Sequence, residues 1–510
     1  MVCKMSLKLN IISNYASQIY VSLIGIIMVP LYIKYMGVEA YGLVGFFAML
    51  QAWFVLLDFG LTPTISREVA RFSAGFMDAL SFRRLYRAIS IIFFTIALIG
   101  GGGLLLLSSM IARDWLNAVT IPLNEIQVAV QIMAVSVSLR WICGLYRGVI
   151  TGSERFIWLG GFNALIATFR FLGVLLVMWY LGFTPIIFFS WQLLISVVEI
   201  VGLWLKSNCL LPSVQSASGS IGWSLTPLRS VIKFSLMLAF SASVWIMVTQ
   251  TDKLVLSAML PLAEYGYFTL AVLVASGIML LGGPVSGAIM PRMAKLEAEG
   301  DRNEVIRIYR QSTQLVVVIA GSAAVTIAFC AQPLLWAWTG DAELASKSAP
   351  ILTLYAIGNG ILMVAAFPYY LQYARGNLRL HFIGNLLLLC ILIPSVVLAT
   401  IYYGVIGAGS AWILINLVYL LVWVAVVHSR LEPGLHNAWI VWDVLVVIIP
   451  AVLVSFVIFL VDVGVKSRVD SFLYVVVFAG IVFSLEILML SAVRNYCLNL
   501  YKSKPWLTLF

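Results

Sequence analysis

Long apolar runs broken by short polar segments dominate the chain, and they predict fourteen membrane-spanning helices. The runs fall at about 9–33, 40–62, 88–112, 126–148, 157–181, 184–205, 230–250, 265–289, 313–337, 349–372, 382–402, 405–427, 438–461 and 471–493, each near the ~20 residues that a bilayer core requires. The apolar character is continuous within each run. Barrel strands alternate over ~10 residues, so helices are the expected spanning element. The polar segments place positive charge on every second loop. Counting Lys and Arg near the run ends, 24 fall on one side, 6 on the other, and Arg170 belongs to neither. Such a bias orients a membrane protein with its basic loops in the cytosol. Both termini are therefore expected to be cytosolic.

Composition agrees with this pattern. Of 510 residues, 62% are hydrophobic and 10% charged, and the mean hydropathy is +1.05. A soluble domain is about a quarter charged. The net charge of +10 does not indicate nucleic acid, because the basic residues sit in short loops beside the spans, where they set topology and meet anionic headgroups. No cleavable leader is expected, since the first run is too long and lacks a small-residue cleavage site. Six scattered cysteines and three late histidines form no metal-ligand spacing. A GxxxxGK[ST] phosphate loop is absent, and no long segment outside the spans offers room for catalysis. The expectation is a transporter, not an enzyme, without a bound cofactor.

The chain also echoes itself at a spacing of about 224 residues. Glu39-Ala40-Tyr41-Gly42 returns as Glu264-Tyr265-Gly266, and Ser66-Arg67-Glu68-Val69-Ala70-Arg71 resembles Pro291-Arg292-Met293-Ala294-Lys295. Gly152, Arg155 and Gly160 match Gly376, Arg379 and Gly384 with identical gaps, and Trp191 and Trp412 follow. An even number of spans per repeat makes the repeats parallel, the organisation of two-lobed transporters. This divides the chain into an N-terminal six-helix lobe (1–206), a linker (207–228), a second six-helix lobe (229–430), and two extra helices with a tail (431–510). The stretches 67–87 and 291–310 are expected to lie as short helices at the cytosolic interface, with Arg67, Arg71 and Arg292 at phosphate headgroups.

Ionisable residues inside spans are costly and point to function. Arg170 stands some 13 residues into the fifth span, ~20 Å deep at 1.5 Å per residue, and is expected to face a wet cavity or to be held in a structural ion pair. Arg140 and Arg147, seven apart, share a helix face and would line a basic path. Glu199 and Asp58 lie at a similar depth, and either would pair with Arg140 or carry a proton. Asp252 and Lys253 end the seventh span as a solvated cap or an ion-coupling pair. Asp443 is expected to be an unremarkable group near a helix end, and Glu486 has no evident partner. Through the repeat, Asp58, Arg140, Arg170 and Glu199 fall on Gly283, Val364, Pro394 and Leu420. The deep charges thus belong mainly to the first lobe. Arginine suits phosphate, and Trp141, Tyr146, Trp158 and Trp191 would either stack on sugars or simply pack.

Several of these segments resemble a known family. The stretch from Asn14-Tyr15 to Tyr41-Gly42, the segment Asp58-Phe59-Gly60-Leu61 running into Ser66-Arg67-Glu68, and Thr251-Asp252-Lys253 with Glu264-Tyr265-Gly266 are similar to polysaccharide-biosynthesis flippases. These are Wzx-type O-antigen transporters of the multidrug/oligosaccharidyl-lipid/polysaccharide (MOP) exporter superfamily. The resemblance implies two six-helix lobes in alternating access around a cationic cavity, and an undecaprenyl-diphosphate-linked oligosaccharide moved from the cytosolic to the periplasmic leaflet of the bacterial inner membrane. It further implies a proton or sodium gradient as the driving force, membrane lipids as surroundings, and a polysaccharide polymerase and chain-length regulator as partners. The alternatives are a flippase for the peptidoglycan lipid precursor and a drug/cation antiporter of the same superfamily, which would favour an acidic lumen.

Overall fold

The computed structural model describes residues 7–212, 221–223, 225–461, 467–491 and 493–494. Lys4, Lys466, Lys502, Lys504, Cys3, Cys497 and the middle of the expected linker lie outside the described residues. The protein is an all-α polytopic membrane protein. Helices meet every backbone hydrogen bond internally, as a bilayer core demands.

Two compact units divide the chain, Met1–Gly266 and Tyr267–Phe510. The first holds α1 (Leu7–Met36), α2 (Val38–Phe54), α3 (Leu61–Ser73), α4 (Ala79–Met110), α5 (Leu123–Gly152), α6 (Phe156–Thr168), α7 (Val174–Leu181), α8 (Pro185–Leu210) and α9 (Ile232–Met259). The boundary falls inside α10 (Leu262–Leu281). The second continues with α11 (Gly283–Glu299), α12 (Arg302–Val316), α13 (Ser322–Phe329), α14 (Ala331–Thr339), α15 (Ala342–Ala365), α16 (Phe367–Ala374), α17 (Arg379–Val418), α18 (Val424–Leu431), α19 (Leu435–Ala438), α20 (Val446–Leu460) and α21 (Arg468–Met489).

Twelve of the described helical segments are long and apolar enough to cross a membrane. One of them, 379–431, is two helices, because Gly404 breaks α17 with φ 58 and ψ −143. Glycine is the residue that permits such a turn without strain. The 28-residue α9 occupies the seventh expected span. Exposed aromatics mark helix ends, as at Trp179, Tyr180, Tyr402 and Tyr403, where amphipathic rings meet headgroups.

α9 belongs with the first unit because it is bonded there. Trp115 Nε1 donates to Ser257 Oγ at 3.0 Å, Asn117 Nδ2 to the Ala258 carbonyl at 3.1 Å, and the Leu262 amide to the Asn117 carbonyl at 2.8 Å. Packing therefore divides the chain some forty residues after the repeat does.

The repeat reappears as geometry. α3 ends at Gly75, which is left-handed, and Asp78 then caps α4 by accepting from the Ser81 amide at 2.9 Å. α11 ends at left-handed Gly300, and Asp301 caps α12 by accepting from the Glu304 amide at 3.1 Å. An N-cap aspartate satisfies an orphan donor of the first turn. This corrects the expected interfacial helices over 67–87 and 291–310. Each stretch is a short helix, a glycine turn and the start of a long helix, so Arg83, Arg84 and Arg87 stand on the first turns of α4.

The motif Glu39–Gly42 and its repeat Glu264–Gly266 pack on each other. A Cβ on Gly42 would collide with the Leu262 carbonyl, and one on Gly266 with the Val38 carbonyl. Glu39 itself ties down the outer loop, accepting from the Val119 amide at 2.5 Å and the Thr120 amide at 3.0 Å.

Candidate functional site

The charged residues expected at depth in the first lobe gather around one carboxylate. α5 carries Gly144, Gly148 and Gly152 at helical spacing, and a Cβ on them would strike Thr62, Ile65 and Ser66 respectively. This small-residue stripe draws α3 close to α5. Asp58 serves the same junction. Its carboxylate accepts from Thr62 Oγ1 at 2.7 Å and from the Thr62 amide at 3.2 Å, which fixes the start of α3 after the left-handed pair Phe59 and Gly60. Asp58 is thus a helix cap, and the expected pairing with Arg140 is not made.

Glu199 on α8 is buried, with a side chain only 3% exposed. Its Oε1 accepts from Arg147 Nη2 and its Oε2 from Arg170 Nη2, so both guanidiniums share one carboxylate. Arg170 is thereby held in an ion pair, 11% exposed, and its Nε is buried without a partner. Arg147 remains 35% exposed.

Arg170 stands in a π-helical turn, Phe169–Gly173, between α6 and α7. π-turns loosen the local backbone ladder and recur at functional sites. Three successive carbonyls of this turn accept from side chains. Trp191 Nε1 reaches Phe169 O at 2.8 Å, Gln192 Nε2 reaches Arg170 O at 3.4 Å, and Tyr32 Oη reaches Phe171 O at 2.7 Å. The turn is therefore pinned from α1 and α8, and the Arg170 side chain is aimed by its backbone.

Arg140 donates from Nη1 to Gln51 Oε1 on α2. Neither Glu199 nor Asp58 makes the salt bridge to it that the sequence suggests. Three arginines around one glutamate leave a net charge of +2 in a membrane-spanning region. In a low-dielectric setting such an excess attracts an anion, and guanidiniums match phosphate oxygens in geometry.

The aromatic residues are occupied otherwise. Trp141 packs on Phe93 with ring centroids 4.4 Å apart, Tyr146 is buried, and Trp158 stacks on Phe162 at 4.9 Å under Lys206. Of the two alternatives, these side chains take packing.

The family model for polysaccharide biosynthesis proteins matches residues 7–297, which hold the whole arginine–glutamate cluster. The chain belongs to the polysaccharide biosynthesis protein family. Its fold is that of MOP superfamily transporters. A solved structure of the lipid II flippase MurJ, in an inward closed conformation, superimposes with a TM-score of 0.73 at 15% identity over 93% of this chain and 98% of that one. An inward-facing multidrug resistance MATE family transporter gives 0.66 at 13% identity, covering 81% and 96%. A MOP superfamily transporter from Pyrococcus furiosus gives 0.54 at 14% identity, covering 84% and 94%. No curated protein matches in sequence.

The remaining expected positions of this family member lie apart from the cluster. Asp252 is buried, not solvated. Lys253 Nζ lies 3.4 Å from its carboxylate and donates to the Thr249 carbonyl at 2.5 Å. Arg67 and Arg71 flank the buried Glu68 at 3.5 and 3.0 Å while staying nearly half exposed. Arg292 is exposed on α11.

In the second unit, Val364 and Leu420, the repeat counterparts of Arg140 and Glu199, are buried in one apolar cluster. Polar groups do occur there, at Asp443 and at positions the sequence did not single out. Asp443 is fully buried and accepts from Arg310 Nε at 2.5 Å and Gln314 Nε2 at 2.6 Å, which corrects the expectation of an unremarkable end group. His428 bonds Tyr309 Oη at 2.7 Å and His436 at 3.1 Å. Glu432 binds Arg302 at 2.7 Å and Arg375 as well. The only sequence signal for these pairs was the presence of an ionisable residue near a span.

Proposed function

We propose that this protein is a flippase that moves an undecaprenyl-diphosphate-linked oligosaccharide, an O-antigen or similar surface-polysaccharide repeat unit, from the cytosolic to the periplasmic leaflet of the bacterial inner membrane. The observation that carries the reading is the +2 cluster of Arg140, Arg147, Arg170 and Glu199 within the family-matched residues. Guanidiniums bind phosphate groups through charge-assisted, often bidentate hydrogen bonds. Arg147, 35% exposed, is the most accessible of the three guanidiniums, and Arg140 beside it is spent on an uncharged partner, Gln51. The cargo passes by alternating access, driven by a proton or sodium gradient. The Asp252–Lys253 pair is a candidate coupling group. Both termini face the cytosol, where Arg67, Arg71 and Arg292 meet headgroups. A polymerase and a chain-length regulator act on the delivered unit.

The test is paired. Arg140→Gln with Arg147→Gln abolishes surface polysaccharide while the protein stays at normal level in the membrane. Unchanged export from a normally expressed double variant overturns the role of the cluster. The fold shared with MurJ favours a second reading, transport of the peptidoglycan lipid precursor. Deletion separates the two, because loss of peptidoglycan precursor transport is lethal and loss of surface polysaccharide is not.

A further inference from the structure

Glu486 stands on α21, in the helical pair beyond the repeat, and is fully buried. Neither carboxyl oxygen has a hydrogen-bond partner among the described residues. The side chain rests against a second π-helical turn, Val317–Gly321, between α12 and α13. A Cβ on Gly321 would lie 3.6 Å from Glu486 Oε2 and 3.5 Å from Ile448 Cδ1, so the carboxyl is seated between this turn and α20. Ser322, the residue after the turn, spends its hydroxyl on the Val318 carbonyl at 2.5 Å.

The elements packed on α21 are α13, α14, α20 and the π-turn. None contains Asp, Glu, Lys, Arg or His. Cys330, between α13 and α14, lies near Tyr474, twelve residues before Glu486 on α21. Arg468 and Asp470 stand at the first turn of α21. Beyond its other end, Arg494 covers the Trp442 ring. Asp443, five residues before Ile448, is already satisfied by Arg310 and Gln314. Among the described residues, the elements packed on α21 thus offer Glu486 no cation.

A bare carboxylate in such a seat loses its hydration with only the nearby Ser322 amide to favour its charge, at a cost of several kcal/mol. The neutral acid avoids that cost and gains an O–H donor against the loosened backbone of the turn. Packing alone does not call for an acid here, since beyond its first turn α21 is otherwise a largely apolar helix.

We propose that Glu486 is a proton-binding site, occupied while the side chain is seated on the π-turn and emptied when α21 leaves it, so that proton uptake and release at Glu486 couple to transport. The site is stated independently of the cargo. Only the coupling rests on the flippase reading.

The experiment has two arms. In the first, infrared spectra of the purified full-length protein in lipid are recorded over a pH series. The wild type shows the C=O stretch of an undissociated carboxylic acid that fades as pH rises and is missing from Glu486→Gln. Glu486→Asp retains an acid band at a shifted frequency. Identical acid bands in wild type and Glu486→Gln overturn the site. If Glu486→Gln does not fold, an aspartate variant whose acid band stays at the wild-type frequency overturns it equally. In the second arm, proteoliposomes loaded with lipid-linked oligosaccharide are given a pH gradient. Wild-type transport is stimulated. Glu486→Gln loses the stimulation and keeps downhill movement. Stimulation unchanged in Glu486→Gln overturns the coupling while the first arm still decides the site. A wild type that moves no oligosaccharide overturns the flippase reading and leaves the infrared result standing.

Discussion

Glu199 binds two guanidiniums of unequal exposure, and that inequality sets what each substitution does. Glu199→Gln leaves Arg170, 11% exposed, as a buried charge without a counter-ion. Breaking a buried pair this way costs about 3–5 kcal/mol. Arg147→Gln costs far less, because that side chain is 35% exposed and Glu199 keeps Arg170. Thermal unfolding in detergent should rank Glu199→Gln well below Arg147→Gln. Equal losses would contradict the shared carboxylate. The sequence singled out all four charged residues, but it paired Arg140 with a carboxylate. Arg140 chose Gln51, and an uncharged partner leaves no trace in a charge census. Asp443 was misjudged for a related reason. Closeness to a span end suggested solvent, whereas Arg310 and Gln314 follow one another on α12 and enclose it.

At the scale of elements, the seam between α2 and the start of α10 is made of backbone. Gly42→Val and Gly266→Val each force a side chain into an opposing carbonyl. Overpacking of this kind costs about 1–3 kcal/mol. Because both act on one seam, the double variant should lose less than the sum of the single losses. Melting curves of the three variants measure this, and strict additivity would mean that the two glycines act separately. The repeat was readable here because its motif is local and its glycines are required. The break at Gly404 was legible only as a short polar interval between two runs. The π-turns were not legible as turns, since Val317–Gly321 has the same apolar composition as the helices around it and Arg170 marks Phe169–Gly173 by its charge and not by any backbone signal. Their existence depends on which distant side chains, such as Trp191, Gln192 and Tyr32, claim their carbonyls.

For the molecule as a whole, hydropathy was enough to give an all-helical membrane protein, because a bilayer allows little else once the runs are long. The same logic does not place ionic clasps outside the bilayer. Glu432 lies between two spans. Burial would raise its affinity for a proton, but the hydrogen bonds and charges of Arg302 and Arg375 outweigh this and hold its carboxyl below the usual glutamate range. A group lowered on folding stabilises above its unfolded value, near 4.5, and that contribution disappears as pH falls through the folded value. Stability of the second unit should therefore drop on acidification below about pH 4.5, and Glu432→Gln should flatten this limb of the unfolding profile. A variant as acid-sensitive as the wild type would dismiss the clasp.

The π-turn beneath Arg170 amounts to one surplus residue in the fifth span. Removing a residue from an ordinary helix turns everything beyond it by about 100°, which ruins a packed span. Taken from Phe169–Gly173, the same deletion lets the backbone relax to a plain helix, and α7 pivots instead of unravelling. Here reading-frame-preserving loss of one codon becomes a means of tuning: it would swing the wall behind the arginines while the rest of the span stays folded.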